Sequence, residues 1–271
     1  MDECPQNVKT LVHVLGKKVP GQGFARTSWG FSRRSGPRSG RLIRPPGRGS
    51  NPLRMDAGAQ VAAWEGTARA FHDATGIGAP VDAFRMARAV GVLCIAGPRG
   101  KAGLEGDVLF YDASARLVRQ HGLVSHEVAH RLLRLHGEAD TEPAANYTSG
   151  ALMLPGSPFD RDLRDTAWNL EQLRVRHPNA SAEMIARRVT QRREAVVSII
   201  DQGRLRARVA SPWLEQPRQR LTAVERELAD AAIETGQAQR ANDLLSAWPL
   251  FDGAHRRVIV VAEAQQLEMR F

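Results

Sequence analysis

From Gln60 to about Thr75, and again across the stretch VDAFRMARAVGV, apolar residues recur at helical spacing, the second run through Val81, Phe84 with Met86, then Ala89 and Val90. Gly76–Gly78 and Gly91 interrupt the pattern and predict the breaks between and after these helices. VLCIA (Val92–Ala96) and DVLFYD (Asp107–Asp112), separated by the turn GPRGKAG, predict two short strands. A long helix follows over roughly Leu117–Leu135, closed by Gly137, and then a second over Glu142–Leu154, stopped by Pro155 and Gly156.

Beyond this point the pattern predicts a helix near Arg161–Arg174. After His177–Pro178, Ala182, Ile185, Ala186 and Val189 share one helical face, with Asn179 or Ser181 available as the cap. AVVSIIDQGRLRARVAS alternates around a turn at Asp201–Gly203, and WPLFDGAHRRVIVVAEA does so around Asp252–Gly253, so two hairpins are expected with a helix near Ala223–Thr235 between them. The whole reads as an α+β fold in four segments. They are a leading extension (1–54), a helical core with a small antiparallel sheet (55–158), a helical pair that looks like a helix-turn-helix (159–195), and a mixed α/β region with the hairpins (196–271).

Charge changes this picture in one place. The chain carries a formal +9, and residues 1–54 supply all of it, with eleven Lys and Arg against Asp2 and Glu3. The remainder is neutral, so the folded part is not a basic protein. The leading segment is rich in Gly, Pro, Ser and Arg and has no apolar face, which predicts disorder. It is either a tail that contacts phosphates or a solvated extension, including an upstream frame joined to a chain that starts at Met55. No window approaches 18 consecutive apolar residues and the N-terminus lacks a secretory pattern, so no membrane partner and a cytoplasmic location are expected. Cys4 and Cys94 form neither a CxxC pair nor a disulfide framework, which fits a reducing compartment.

The chemistry concentrates in LVSHEVAHRLL, Leu123–Leu133. Residues four apart on a helix project from one face, so His126 and His130 can direct ring nitrogens at a single metal ion. Glu127 lies beside that face, where its carboxylate can reach water without ligating the ion, as a general base requires. Val124, Val128, Ala129 and Leu132–Leu133 surround the pair with apolar residues, and buried imidazoles need polar partners or a metal. Two histidines leave a catalytic zinc site incomplete. Glu138, Asp140 and Glu142, with His136 nearby, are the candidates for the third ligand. Tyr147, His121, Tyr111 and His136 are candidates for stabilising an oxyanion, and the strand DVLFYD is either a strand that pairs with an extended substrate by edge addition or a core strand.

TEPAANYTSGALMLP, Thr141–Pro155, resembles the E-x-x-A-N-x-F-A-x-x-L-L-M-P segment that follows H-E-x-x-H in the ImmA/IrrE family of metallopeptidases. The upstream PVDAFRMARAVGV is similar to that family's opening helix, and the resemblance covers about residues 58–190. It implies a zincin-like metallopeptidase core, Zn2+ as the cofactor, and Glu142 as the third ligand beside His126 and His130. It also implies that Asn146 caps or orients the site. Thr148 and Ser149 stand where the family has Phe and Ala, and LMLP permutes its LLMP. The activity implied is limited proteolysis of a regulatory protein such as a transcriptional repressor, in stress response or in control of mobile elements. The competing expectation is a non-proteolytic zinc protein that binds DNA or a partner through the basic tail or the helical pair.

Overall fold

A computed structural model describes residues 57–97, 103–215, 217–242, 244–252 and 255–263. The leading segment 1–54 and most of the turn after Gly97 lie outside these residues.

Helix α1 (Ala57–Thr75) buries Trp64, Ala68 and Phe71, which recur at the spacing of one helical face. In α2 (Ala83–Ala89) the Asp82 side chain accepts from the amides of Phe84 and Arg85, and the helix buries Ala83, Met86 and Ala87. Three strands follow: β1 (Leu93–Gly97), β2 (Gly103–Glu105) and β3 (Val108–Asp112). Their order is β1-β3-β2, with β1 parallel and β2 antiparallel to β3.

The small sheet is therefore mixed rather than antiparallel, and the reason lies in Gly106. Glu105 pairs with Val108 across a two-residue turn in which Gly106 has φ +60°, a conformation glycine adopts without steric cost. That hairpin puts β2 on one side of β3 and leaves β1 the other side, reached in parallel. DVLFYD becomes the central strand, with Leu109 fully buried, so it has no free edge for a substrate. The edge on the far side is β1, where Leu93 and Ile95 are exposed.

Helices α3 (Leu117–His136), α4 (Glu142–Met153), α5 (Gly156–Asp165), α6 (Leu170–Arg176) and α7 (Ala182–Arg192) come next. The single helix expected over Arg161–Arg174 is two, because the chain breaks at Ala167 and Trp168, whose φ values are +45° and +64°. Asn169 then caps α6 by accepting from the Gln172 amide, while Trp168 packs against the core. Helix α7 buries Ala182, Ile185, Ala186, Arg188, Val189 and Thr190 and leaves Glu183, Arg187 and Arg192 half-buried on its other side.

Strands β4 (Ala195–Asp201), β5 (Arg204–Ala210), β6 (Gln239–Asn242), β7 (Leu245–Asp252) and β8 (His255–Glu263) form one antiparallel sheet in the order β5-β4-β8-β7-β6. The two expected hairpins are both present and are joined where β4 pairs with β8. Alternation along β8 divides the sheet's apolar residues between its faces. Ile259 and Val261 enter the core built by the helices, with Val197, Ile199 and Trp248. Val258, Val260 and Ala262 pack instead with Ala229 and Ala232 of α8 (Ala223–Thr235), a helix that Thr222 and Glu225 cap reciprocally. One buried apolar cluster thus runs from α1 through α7 into the near face of this sheet. Among the described residues the fold is α+β, with eight helices and two sheets, and no helix is long and apolar enough to cross a membrane.

Candidate metal centre

The site is built by α3, α4 and the link between them. Val124, Val128, Leu132 and Leu133 bury one face of α3, which leaves His126 and His130 half-buried on its flank. Gly137 ends the helix at φ +70°, with the Glu138 amide returning to the Leu133 carbonyl at 2.9 Å. Four residues later the Thr141 hydroxyl accepts from the Ala144 amide, which starts α4 and makes Glu142 its first helical residue. Small residues let the two helices approach, and Ser125 Oγ meets Ser149 Oγ at 2.8 Å in the buried interface. Ser149, which departs from the resembled family's Ala, is thereby bound to the helix that carries both histidines.

The result is a convergence of three ligand atoms. His126 Nε2 lies 3.1 Å from His130 Nε2 and 3.3 Å from Glu142 Oε2, and His130 Nε2 lies 3.5 Å from Glu142 Oε1. Donors held at zinc's usual distances in a tetrahedron are about 3.3–3.4 Å apart. The spacing fits, and His126, His130 and Glu142 form a group that could hold a metal ion. The donor set fits as well, because three electron-pair donors at this range need a cation between them, whether a proton or a metal. Glu142 is the most open member, with its side chain 73% exposed.

Around the three, Asp140 Oδ1 lies 2.5 Å from His130 Nδ1, and its other oxygen accepts from Arg134 at 2.7 Å. Burial alone would raise the Asp140 carboxyl, but these bonds from His130 and Arg134 outweigh it and hold the carboxyl below its ordinary range. Glu127 is half-buried beside His126 and has no hydrogen bond or ion pair among the described residues. Arg131 ties α3 to the start of β3 through Asp107 at 2.6 Å.

The other expected residues are placed elsewhere. Glu138 does not join the cluster. Asn146 is exposed one turn after Glu142 and has no hydrogen bond to the cluster among the described residues. Tyr147 is turned away from the cluster: its hydroxyl donates to Glu65 of α1 at 3.4 Å, and its ring lies under Arg188 and beside Trp64. Burial pushes the Tyr147 hydroxyl up to about 12, which keeps it protonated, and it is the orientation toward Glu65 that takes it away from the cluster. His121 is buried between α2 and α3, where its Nδ1 accepts from the Ala83 amide and burial depresses its pKa. Tyr111 packs edge-on against Phe84 of α2. Burial likewise depresses the pKa of His136, whose Nε2 has no partner among the described residues. A cavity of about 450 Å³ lies at the far end of α4, against Ala151, Pro155 and Gly156, and shares no residue with the cluster.

Sequence reasoning missed two contacts. Asp140 was a candidate ligand and is instead a partner of His130, and its two-residue offset from Glu142 was the available signal. The ion pair of Glu65 with Arg188 joins residues 123 positions apart and had no local signal.

No protein-family model matches the chain, and no curated protein does. A solved structure of a Mycobacterium tuberculosis transcriptional regulator is similar, with a TM-score of 0.57 and 14% identity over 76% of this chain and 77% of that one. The likeness is one of fold.

Proposed function

We propose that the chain is a cytoplasmic zinc-dependent metallo-endopeptidase that makes limited cuts in a regulatory protein such as a transcriptional repressor. One observation carries this reading: His126, His130 and Glu142 converge at zinc-ligand spacing while the Glu127 side chain, next to His126, has no hydrogen-bond or ion-pair partner among the described residues. The ImmA/IrrE resemblance of residues 58–190 supports it, through the same His126, Glu127, His130 and Glu142.

Zinc held by two neutral imidazoles and one carboxylate would lower the pKa of water from about 15.7 toward about 7 and polarise a peptide carbonyl. Glu127 takes a proton from the attacking water at its carboxylate and delivers it to the leaving amine. A site that only stabilised the fold would need no free carboxylate beside its ligands. The open face of Glu142 leaves room for a chain to approach.

A non-proteolytic regulator is the second reading, favoured by the similarity to a transcriptional regulator. Glu127→Gln separates the two, because the amide keeps the carboxylate's shape but cannot accept the proton. With the repressor encoded nearest the gene co-expressed as substrate, the variant is expected to lose at least about 100-fold in cleavage rate and keep its zinc. Cleavage at the wild-type rate by Glu127→Gln would overturn proteolysis through this residue and favour the regulator.

A further inference from the structure

We infer that Asp140 is a positioning residue that prepares His130 to ligate, a role resting on the metal-centre reading above. A neutral imidazole carries one proton, and the hydrogen bond made by one ring nitrogen decides whether the other can bind a metal. Asp140 Oδ1 sits 2.5 Å from His130 Nδ1, and a carboxylate at that place can only accept, so the proton belongs on Nδ1. The lone pair is then left on Nε2, the atom facing His126 Nε2 at 3.1 Å and Glu142 Oε1 at 3.5 Å.

The carboxylate is itself held. Arg134, one turn beyond His130 on α3, donates to Asp140 Oδ2 at 2.7 Å, so two side chains of the same helix fix both of its oxygens. Asp140 sits at the protein surface with its side chain 25% exposed, so these two bonds rather than burial hold it in place. Asp140 also lies two residues before Glu142 in the link that joins the helices. One group therefore sets the tautomer of the second ligand and anchors the segment that delivers the third. His126 has no comparable carboxylate on its Nδ1 among the described residues, so the two histidines differ in how far they are prepared.

The test uses the full chain with zinc as the probe. In metal-free wild type, long-range proton–nitrogen NMR is expected to show His130 protonated on Nδ1. Competition with a chromophoric chelator should show Asp140→Ala weakening zinc binding by about 10–100-fold. Asp140→Asn, which retains one acceptor oxygen, should lose less. A neutral His130 ring protonated on Nε2 and not on Nδ1 in metal-free wild type would overturn the inference even if no variant folded. So would wild-type zinc affinity in Asp140→Ala, or a greater loss in Asp140→Asn than in Asp140→Ala. Those results leave the metal centre standing, whereas a wild-type chain that binds no zinc removes both.

Discussion

At its first residue α4 brings Glu142 to His126 and His130, and at its middle the same helix brings Tyr147 to Glu65 and Arg188. Both places gather ionisable side chains, but they are balanced in opposite ways. Arg188 is 0% exposed and every strong contact it makes is to an acceptor. Its Nη1 and Nη2 donate to the two Glu65 oxygens at 2.9 and 2.8 Å, its Nε donates to the Leu154 carbonyl at 3.0 Å, and Nη1 also donates to Gln191 Oε1 at 2.9 Å. Arg192, paired with Asp160, completes the cluster. Cation and anion are matched within the chain, so this group is a structural clamp holding α1, α4 and α7 together. Among the described residues the cluster of His126, His130 and Glu142 has no Lys or Arg paired to it, and its Glu142 side is open to solvent. The difference teaches how to tell a clamp from a site: a clamp satisfies its own charges, and a site leaves a place for something else.

Breaking the clamp should produce the largest effect on stability. Arg188→Ala strands the Glu65 carboxylate in the interior and is expected to cost about 3–5 kcal/mol in urea unfolding. The fraction that remains folded should bind zinc as before. A loss of less than about 1 kcal/mol would mean that the pair is not the clamp described here.

Acid should expose the same contrast with a smaller effect. Burial alone would raise the Glu65 carboxyl, yet the hydrogen bond and charge of Arg188, with Arg192, hold it below its ordinary range. A carboxyl that titrates lower in the folded chain contributes its full stability above its unfolded value, near 4.3, and loses it as pH falls through the folded value. Stability should thus decline below about pH 4.3 through this group. Glu65→Gln should be less stable at neutral pH and should lack that part of the acid dependence. An unchanged acid limb in the variant would assign the decline to other carboxyls.

The helices that carry His126, His130 and Glu142 were legible in the sequence because everything that shapes them is local. The α3 core face repeats at helical spacing, Gly137 and Thr141 sit where the caps are needed, and His126 and His130 fall one turn apart by counting. The small sheet was less legible. The turn at Gly106–Asp107 lies inside a short polar stretch that reads as a plain connector, and the β2 strand it creates is only Gly103–Glu105. Whether β3 is central or at an edge depends on that strand, and so did the fate of DVLFYD as a substrate platform. Tyr147 was misplaced for a different reason. It follows Glu142 by five residues, so sequence proximity suggested the site, while the helix turns its ring toward α1, where Glu65 and Arg188 wait from distant parts of the chain. Contacts that span 82 and 123 positions are decided by packing, which local pattern does not contain.

The central claim is that His126, His130 and Glu142 together form a zinc centre. Its most direct test is the zinc content of purified full-length chain measured beside His130→Ala. Wild type is predicted to hold about one zinc per chain, and the variant, which keeps the apolar face of α3 intact, to fold with its zinc lost. A wild-type chain that takes up no zinc under saturating conditions, or a folded His130→Ala chain that holds as much as wild type, would contradict the claim.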